Sequence, residues 1–98
     1  MKFTDVTKEN PFHVQAMKDT GIPYQEIKIY EYKDIRVVYT IINGEVRVSM
    51  SKPSEITIRE MNKVTNKFLG VHISEVNIYL SPRGVHYFEL KENDVVLN

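Results

Sequence analysis

The sequence predicts an α+β fold: a two-layer sandwich in which helices cover one face of an antiparallel sheet. Three observations lead to it. Runs of alternating apolar and polar residues indicate strands, turn motifs join neighbouring strands into hairpins, and two stretches carry apolar residues at helical spacing. The predicted order is helix, three-strand meander, helix and two-strand hairpin. A chain of 98 residues is long enough for one core, so residues 1–98 are predicted to form a single domain.

The chain begins with a predicted strand and a helix. Residues 1–6 alternate briefly, which favours a short strand. Asn10 then precedes Pro11, as an N-cap precedes a proline at the first helical position. We predict a helix over residues 11–19 that is ended by Gly21, because glycine readily adopts the left-handed conformation found after a helix.

Asn43-Gly44 stands at the centre of the meander. Asn-Gly between two apolar runs predicts a type I′ turn, because this turn needs positive φ at both central residues. The resulting two-residue loop joins strands at residues 35–42 and 45–50. It pairs six apolar or aromatic residues on one face: Ile41 with Val46, Tyr39 with Val48, and Val37 with Met50.

A third strand, over residues 24–31, precedes this hairpin, and its register is predicted from the side chains that it would bury. With a two-residue loop, Ile29 would lie opposite Val38 and face away from the core. A three-residue loop of Tyr32-Lys33-Asp34 places Ile29 opposite Val37 instead. We therefore predict that loop, or a bulge, between the two strands.

The second helix and the last hairpin complete the predicted fold. Residues 53–69 carry apolar residues at helical spacing and are followed by Gly70. Pro82-Arg83-Gly84 predicts a three-residue hairpin loop with glycine in the left-handed conformation. This loop pairs Val76 with Leu90, Ile78 with Phe88, and Leu80 with His86, all of them pointing inward. Residues 91–98 are predicted to be either a frayed tail or a docked edge segment.

Composition narrows the classes of function. The chain has 13 basic and 13 acidic residues, and this balance disfavours nucleic acid or an anionic membrane as the main partner. It has no cysteine, which excludes disulfides, thiolate catalysis and cysteine-ligated metals. No apolar run approaches the ~20 residues of a membrane span, and the first residues lack the apolar core of a signal peptide. We therefore expect a cytoplasmic protein without a membrane partner.

The titratable residues form no catalytic signature in the sequence. His13, His72 and His86 have no histidine or carboxylate at metal-ligand spacing, and His86 is predicted on the core face. Glu75 and Glu89 approach each other in the last hairpin, but a catalytic pair of carboxylates also needs a cleft. We predict no enzyme activity, no metal site and no cofactor.

The predicted outward face of the sheet is rich in tyrosine and arginine, whereas a free sheet face normally alternates to polar residues. The residues expected to bind through it are Tyr30, Tyr32, Arg36, Arg47, Tyr79 and Tyr87. Tyrosine and arginine are enriched in protein interfaces. We predict a non-catalytic interaction protein whose partner is another protein or a second copy of itself. The alternatives are RNA or single-stranded nucleic acid stacked on the tyrosines, and a plain solvated surface.

A basic stripe on the second helix is a secondary candidate. Arg59, Lys63 and Lys67 follow one another at a spacing of four residues, so they share one side of the helix. Such a stripe can bind phosphates. Glu55 and Glu60 interrupt it, and a solvated helix face is the alternative.

Parts of the chain resemble known families. The helix–three strands–helix order resembles the double-stranded-RNA-binding domain, but residues 53–58 lack the lysine cluster of that family, so no function is implied. The longer order with a final hairpin resembles small secretion chaperones, which are typically acidic dimers, whereas this chain is neutral. Asp5-Val6-Thr7, residues 27–30 and residues 37–40 resemble a small family of unknown function from lactic-acid and related Gram-positive bacteria. That resemblance covers roughly the first 40 residues and implies no activity.

Overall fold

The computed structural model describes residues 2–91 and confirms an α+β fold built on an antiparallel sheet. The elements in chain order are β1 Thr4–Asp5, a 3-10 helix Thr7–Glu9, α1 Pro11–Lys18, β2 Tyr24–Tyr32, β3 Ile35–Ile42, β4 Glu45–Ser51, α2 Ile58–Leu69, a 3-10 helix Ile73–Glu75, β5 Val76–Leu80 and β6 His86–Leu90. The strands lie side by side in the order β1-β2-β3-β4-β6-β5. The frayed tail or docked segment was predicted over residues 91–98. Lys91 donates its N–H to the carbonyl of Glu75 at 3.1 Å, and residues 92–98 lie outside the described range.

Both hairpins with a recognisable turn motif have the predicted register. Asn43 and Gly44 have φ angles of 51° and 77°, as a type I′ turn requires, and β3 pairs with β4 as predicted. β5 and β6 also pair as predicted. Gly84 has a φ of 82° in their loop, and Ser81 donates its N–H to the carbonyl of Val85 at 2.9 Å. Turn chemistry alone was therefore sufficient to set these two registers.

The register between β2 and β3 differs from the prediction. Their loop contains two residues, Lys33 and Asp34, and Ile29 lies opposite Val38. Ile29 is nevertheless 0% exposed. The segment before α1 binds its strand, since Thr7 Oγ1 accepts a hydrogen bond from the N–H of Ile29 at 2.9 Å. A register shift does occur between Tyr24 and Glu26, at the far end of the pair, but it does not move Ile29 opposite Val37. The prediction of a three-residue loop was wrong because it assumed that only one face of the sheet is covered.

The two helices lie against opposite faces of this sheet. We call the face that carries Val37 and Val48 the core face, and it packs against α2 through Val64. The opposite face, which we call the outer face, carries Arg36, whose guanidinium contacts His13 of α1 at 3.2 Å. The expectation that both helices cover one face was therefore wrong. β1 lies at the edge of the sheet, and from an edge the following segment can reach either face.

α2 begins at Ile58 rather than at residue 53, because a capping box defines its start. Thr57 Oγ1 accepts a hydrogen bond from the N–H of Glu60 at 3.1 Å, and Glu60 Oε1 accepts one from the N–H of Thr57 at 2.9 Å. Lys52 Nζ also binds Glu60 at 2.9 Å, which ties the preceding segment to the first turn of the helix. The helix ends as predicted at Gly70, with a φ of 71°.

The main core lies between α2 and the middle of the sheet. Its buried residues are Ile35, Val37, Val48, Met50, Val64, Val76 and Phe88. Aromatic rings extend it toward β1, where the ring centroid of Phe68 lies 5.2 Å from that of Phe3 and 4.9 Å from that of Tyr30. The core face is therefore closed over β2, β3 and β4, and the candidate surfaces lie on the outer face and on the β5–β6 hairpin.

Candidate interaction surface

The structure divides the six residues of the predicted binding face between the two faces of the sheet. Tyr30 and Tyr32 lie opposite Val37 and Ile35, which places both tyrosines on the core face. The ring of Tyr30 packs against Phe68 of α2, and burial raises the pKa of Tyr30. Their assignment to the outward face was wrong. The cause is the register of β2, because a slip of one residue turns every side chain of a strand to the other face.

Arg36 lies on the outer face, but its guanidinium binds within the chain. Its Nη2 donates to Glu31 Oε2 at 2.9 Å and to Asn10 Oδ1 at 3.1 Å, and its Nη1 donates to His13 Nδ1 at 3.2 Å. Asn10 is the N-cap residue of α1, as predicted, but its side chain makes no cap bond to the helix. Burial, and then the positive charge of Arg36, lower the pKa of His13. Arg36 therefore fastens α1 to the sheet.

Tyr79 and Tyr87 occupy the exposed part of the outer face. They lie directly opposite each other in the β5–β6 hairpin, and Tyr87 also lies opposite Ser49 of β4. Tyr79 is 53% exposed and Tyr87 is 48% exposed. Arg47 is on the same face, two positions from Ser49, and its guanidinium lies 3.9 Å from the carboxylate of Glu45. We call Tyr79, Tyr87 and Arg47 the tyrosine patch.

A groove of about 260 Å³ adjoins the tyrosine patch on the outer face. Met17 of α1 and Ile22 of the following turn line it together with Val38, Arg47 and Tyr87. Sequence reasoning missed the groove because it placed α1 over the core face. One signal was present in the sequence, because Ile22 is a large apolar residue between Gly21 and Pro23. In the structure Ile22 is 42% exposed.

The core face of the β5–β6 hairpin is only partly covered. Ile78, Leu80 and Leu90 lie on the core face as predicted, but they are 40%, 63% and 43% exposed. Phe88 lies between them and is 1% exposed. α2 packs over β4, and the covered core includes Phe88 and also Val76 at the start of the outermost strand, but not the rest of that strand. The hairpin therefore exposes apolar side chains on both of its faces.

The basic stripe is separate from the tyrosine patch. Arg59, Lys63 and Lys67 are all exposed on α2, as predicted. Lys63 and Lys67 border a depression of about 290 Å³ beside Phe3. Since α2 covers the core face, the stripe and the patch lie on opposite sides of the sheet and do not form one continuous surface.

His72 and His86 have positions that fit a structural role. His72 Nδ1 accepts a hydrogen bond from the N–H of Ser74 at 3.1 Å and caps a 3-10 helix. Glu75 accepts one from the N–H of His72 at 3.2 Å. His86 lies on the core face, as predicted, and its buried Nδ1 has no hydrogen-bond partner among the described residues.

A cleft of about 780 Å³ lies at one end of the sheet, next to His86. Two of its cations are already bound, since Arg36 is paired with Glu31 and Lys52 with Glu60, both at 2.9 Å. Over residues 2–91, no three histidine or carboxylate side chains are grouped to hold a metal ion. In the same range no helix has the length and apolar character needed to cross a bilayer.

Comparisons with protein-family models, with curated proteins and with solved structures found no match for the chain. The resemblance to a bacterial family of unknown function therefore stays a prediction.

Proposed function

We propose that the chain is a non-catalytic protein-binding module that uses the tyrosine patch and the adjoining groove. One observation carries the proposal: Tyr79 and Tyr87, each about half exposed, are paired on a sheet face beside a partly apolar groove. Aromatic side chains of this kind lose little conformational entropy on binding and bury a large area. The cytoplasmic location predicted from the sequence is part of this proposal.

The groove indicates what kind of segment the partner presents. Met17, Ile22 and Val38 offer apolar contacts, while Ser49 offers a hydroxyl group along the same groove. An apolar side chain from a partner would fit between them, with Arg47 beside it to bind a carbonyl or carboxylate. We therefore expect a protein segment with one apolar anchor flanked by acceptors.

The surface supports protein binding better than nucleic-acid binding. A nucleic-acid platform combines aromatic rings with several cations for the phosphates. Of the two arginines predicted for this face, Arg36 is bound to Glu31 and His13, and Arg47 has Glu45 nearby. The basic residues of α2 lie on the opposite side of the sheet. RNA therefore remains the second candidate.

The test compares three baits in extracts of the source organism: the wild-type chain, the Tyr79→Ser/Tyr87→Ser variant and the Lys63→Ser/Lys67→Ser variant. The two double variants alter exposed residues on opposite sides of the sheet, so the lysine variant is the matched control. We expect a partner that binds the wild type and the lysine variant and is lost from the tyrosine variant. Capture of the same proteins by all three baits would contradict the proposal.

The nucleic-acid alternative is tested with the same variants. Binding of a fluorescent single-stranded RNA is measured at low salt and then at increasing salt. Binding that falls steeply with salt and is lost in the tyrosine variant would favour the alternative. No retention of RNA at low salt would remove it.

A further inference from the structure

The two outer edges of the sheet are built differently. One edge is β1, which has two residues and carries Asp5. The other edge is β5, Val76–Leu80, which has five residues and contains neither a charge nor a proline. Proteins commonly protect edge strands by keeping them short or by placing charges and prolines on them. β1 has such protection, and β5 lacks it.

The side chains of β5 are also exposed on both faces of the sheet. Ile78 and Leu80 are 40% and 63% exposed on the core face, and Tyr79 is 53% exposed on the outer face. Within residues 2–91, β6 is the strand that pairs with β5, and the outer edge of β5 has no neighbour. A strand with a free edge and apolar side chains on both faces is suited to pairing with another strand.

We propose that the β5 edge pairs with the β5 edge of a second copy of this chain, in antiparallel orientation about a two-fold axis at Ile78. This register places Ile78 opposite Ile78 of the partner copy, and Val76 opposite Leu80, on the core face. It places Asn77 opposite Tyr79 on the outer face. Every directly opposed pair is thus uncharged, and those on the core face are apolar, which is the pattern that stabilises cross-strand contacts.

The charges at the two ends of β5 select the orientation and the occupant. Glu75 lies just before the strand and Arg83 lies in the loop just after it. In this antiparallel register Glu75 of one copy lies opposite Ser81 of the other, two residues from Arg83, so opposite charges lie on a diagonal at both ends of the interface. Parallel pairing would bring like charges together. The formal net charge of zero also means that two copies do not repel each other over longer distances.

The β5 edge shares Tyr79 with the tyrosine patch, but Tyr87, Arg47 and the groove lie on other elements. The Ile78 variants alter none of these, so either inference can fail without the other. In the dimer, the core faces of both copies lie on one side of a continuous sheet. The two tyrosine patches lie next to each other on the other side. Self-association through β5 would therefore leave the groove beside α1 open, and it would double the tyrosine surface available to a partner.

The test uses opposite charges at the two-fold axis. In Ile78→Lys a lysine would face a lysine across the interface, and in Ile78→Glu a glutamate would face a glutamate. Each variant should therefore raise the dissociation constant of the dimer by about tenfold or more. Mixing the two variants places lysine opposite glutamate. We expect light scattering to give a dimer for the wild type, monomers for each variant alone, and recovery of the dimer in the mixture.

Thr4→Lys is the matched control, because it places the same charge on the opposite edge strand, and we expect it to remain dimeric. A wild-type chain that is monomeric up to about 1 mM would overturn the proposal. So would a mixture of the Ile78 variants that stays monomeric although both are folded by circular dichroism. If the Ile78 variants do not fold, Leu80→Lys, at the more exposed position, should weaken the dimer to a similar extent, and an unchanged dimer would overturn the proposal.

Discussion

Arg36 donates a hydrogen bond from Nη1 to Nδ1 of His13 over 3.2 Å and thereby joins β3 to α1. The same guanidinium binds Glu31 and Asn10, so it connects two strands, the turn before α1 and the helix itself. Arg36 was predicted to bind a partner, but its guanidinium binds residues of its own chain. Since Arg36 can only donate, His13 must accept, which requires Nδ1 to be unprotonated.

We expect this contact to make the free energy of unfolding depend on pH near neutrality. Burial and Arg36 lower the pKa of His13 below its ordinary value of 6.5, so the unfolded chain takes up a proton before the folded chain does. The contribution of His13 is therefore complete above about pH 6.5 and is lost as the pH falls through the pKa of the folded state. We expect the urea midpoint to decrease between about pH 7 and about pH 5.

His13→Gln is the variant that isolates this effect, because glutamine offers Arg36 an acceptor that does not titrate. We expect its urea midpoint to change less than that of the wild type over the same pH interval. Asp5 and Glu60 should not cause this change. Their hydrogen bonds lower their pKa values below the ordinary 3.8 and 4.5, so their effect on stability appears only in more acidic solution. An identical pH dependence in His13→Gln and the wild type would show that another group is responsible.

Tyrosines on the core face and on the outer face are expected to contribute differently to the free energy of unfolding. Tyr30→Ala removes a ring that packs on Phe68 and should lower the free energy of unfolding by about 2–3 kcal/mol, less than for a fully buried ring. Tyr79→Ala removes a half-exposed ring and should change it by about 0.5 kcal/mol or less. Urea denaturation at a concentration where the chain is monomeric measures both. Equal losses would mean that Tyr79 is also part of the core.

The capping box of α2 should contribute to folding stability. Thr57→Ala removes the acceptor for the N–H of Glu60 and should lower the free energy of unfolding by about 1 kcal/mol. Thr57→Ser keeps the hydroxyl group and serves as the control, with stability close to that of the wild type. A Thr57→Ala chain as stable as the wild type would mean that Lys52, through its contact with Glu60, is sufficient to hold the first turn.

The turn between β3 and β4 should be sensitive to the residue at its second position. Gly44 has a φ of 77°, and a side chain in this left-handed region is strained by roughly 1 kcal/mol. Gly44→Ala should therefore lower the thermal midpoint. Asn43→Gly occupies the preceding position, with a φ of 51°, and should be nearly neutral. If both variants had the same midpoint, the turn would not be limiting for stability.

The sequence by itself determined the secondary elements whose ends carry local signals. Asn43-Gly44 and Pro82-Arg83-Gly84 each allow few backbone conformations, so the registers of the β3–β4 and β5–β6 hairpins followed from short-range geometry. The placement of Tyr79 and Tyr87 on one face followed from those registers, whereas the pairing of β4 with β6 brought Arg47 to the same face. Lys33-Asp34 has no glycine, and its register had to be inferred from which side chains would be buried.

Only the tertiary structure decided which face of β2 is the core face. Ile27 and Ile29 are apolar and Tyr30 and Tyr32 are aromatic, so both faces of this strand are suited to burial. α2 covers Tyr30, Phe3 packs on Tyr32, and the segment before α1 binds the strand of Ile29. When each face of a strand can be buried, hydrophobic periodicity does not indicate which face points to the main core. The side of the sheet that each helix takes then depends on the packing of the whole chain.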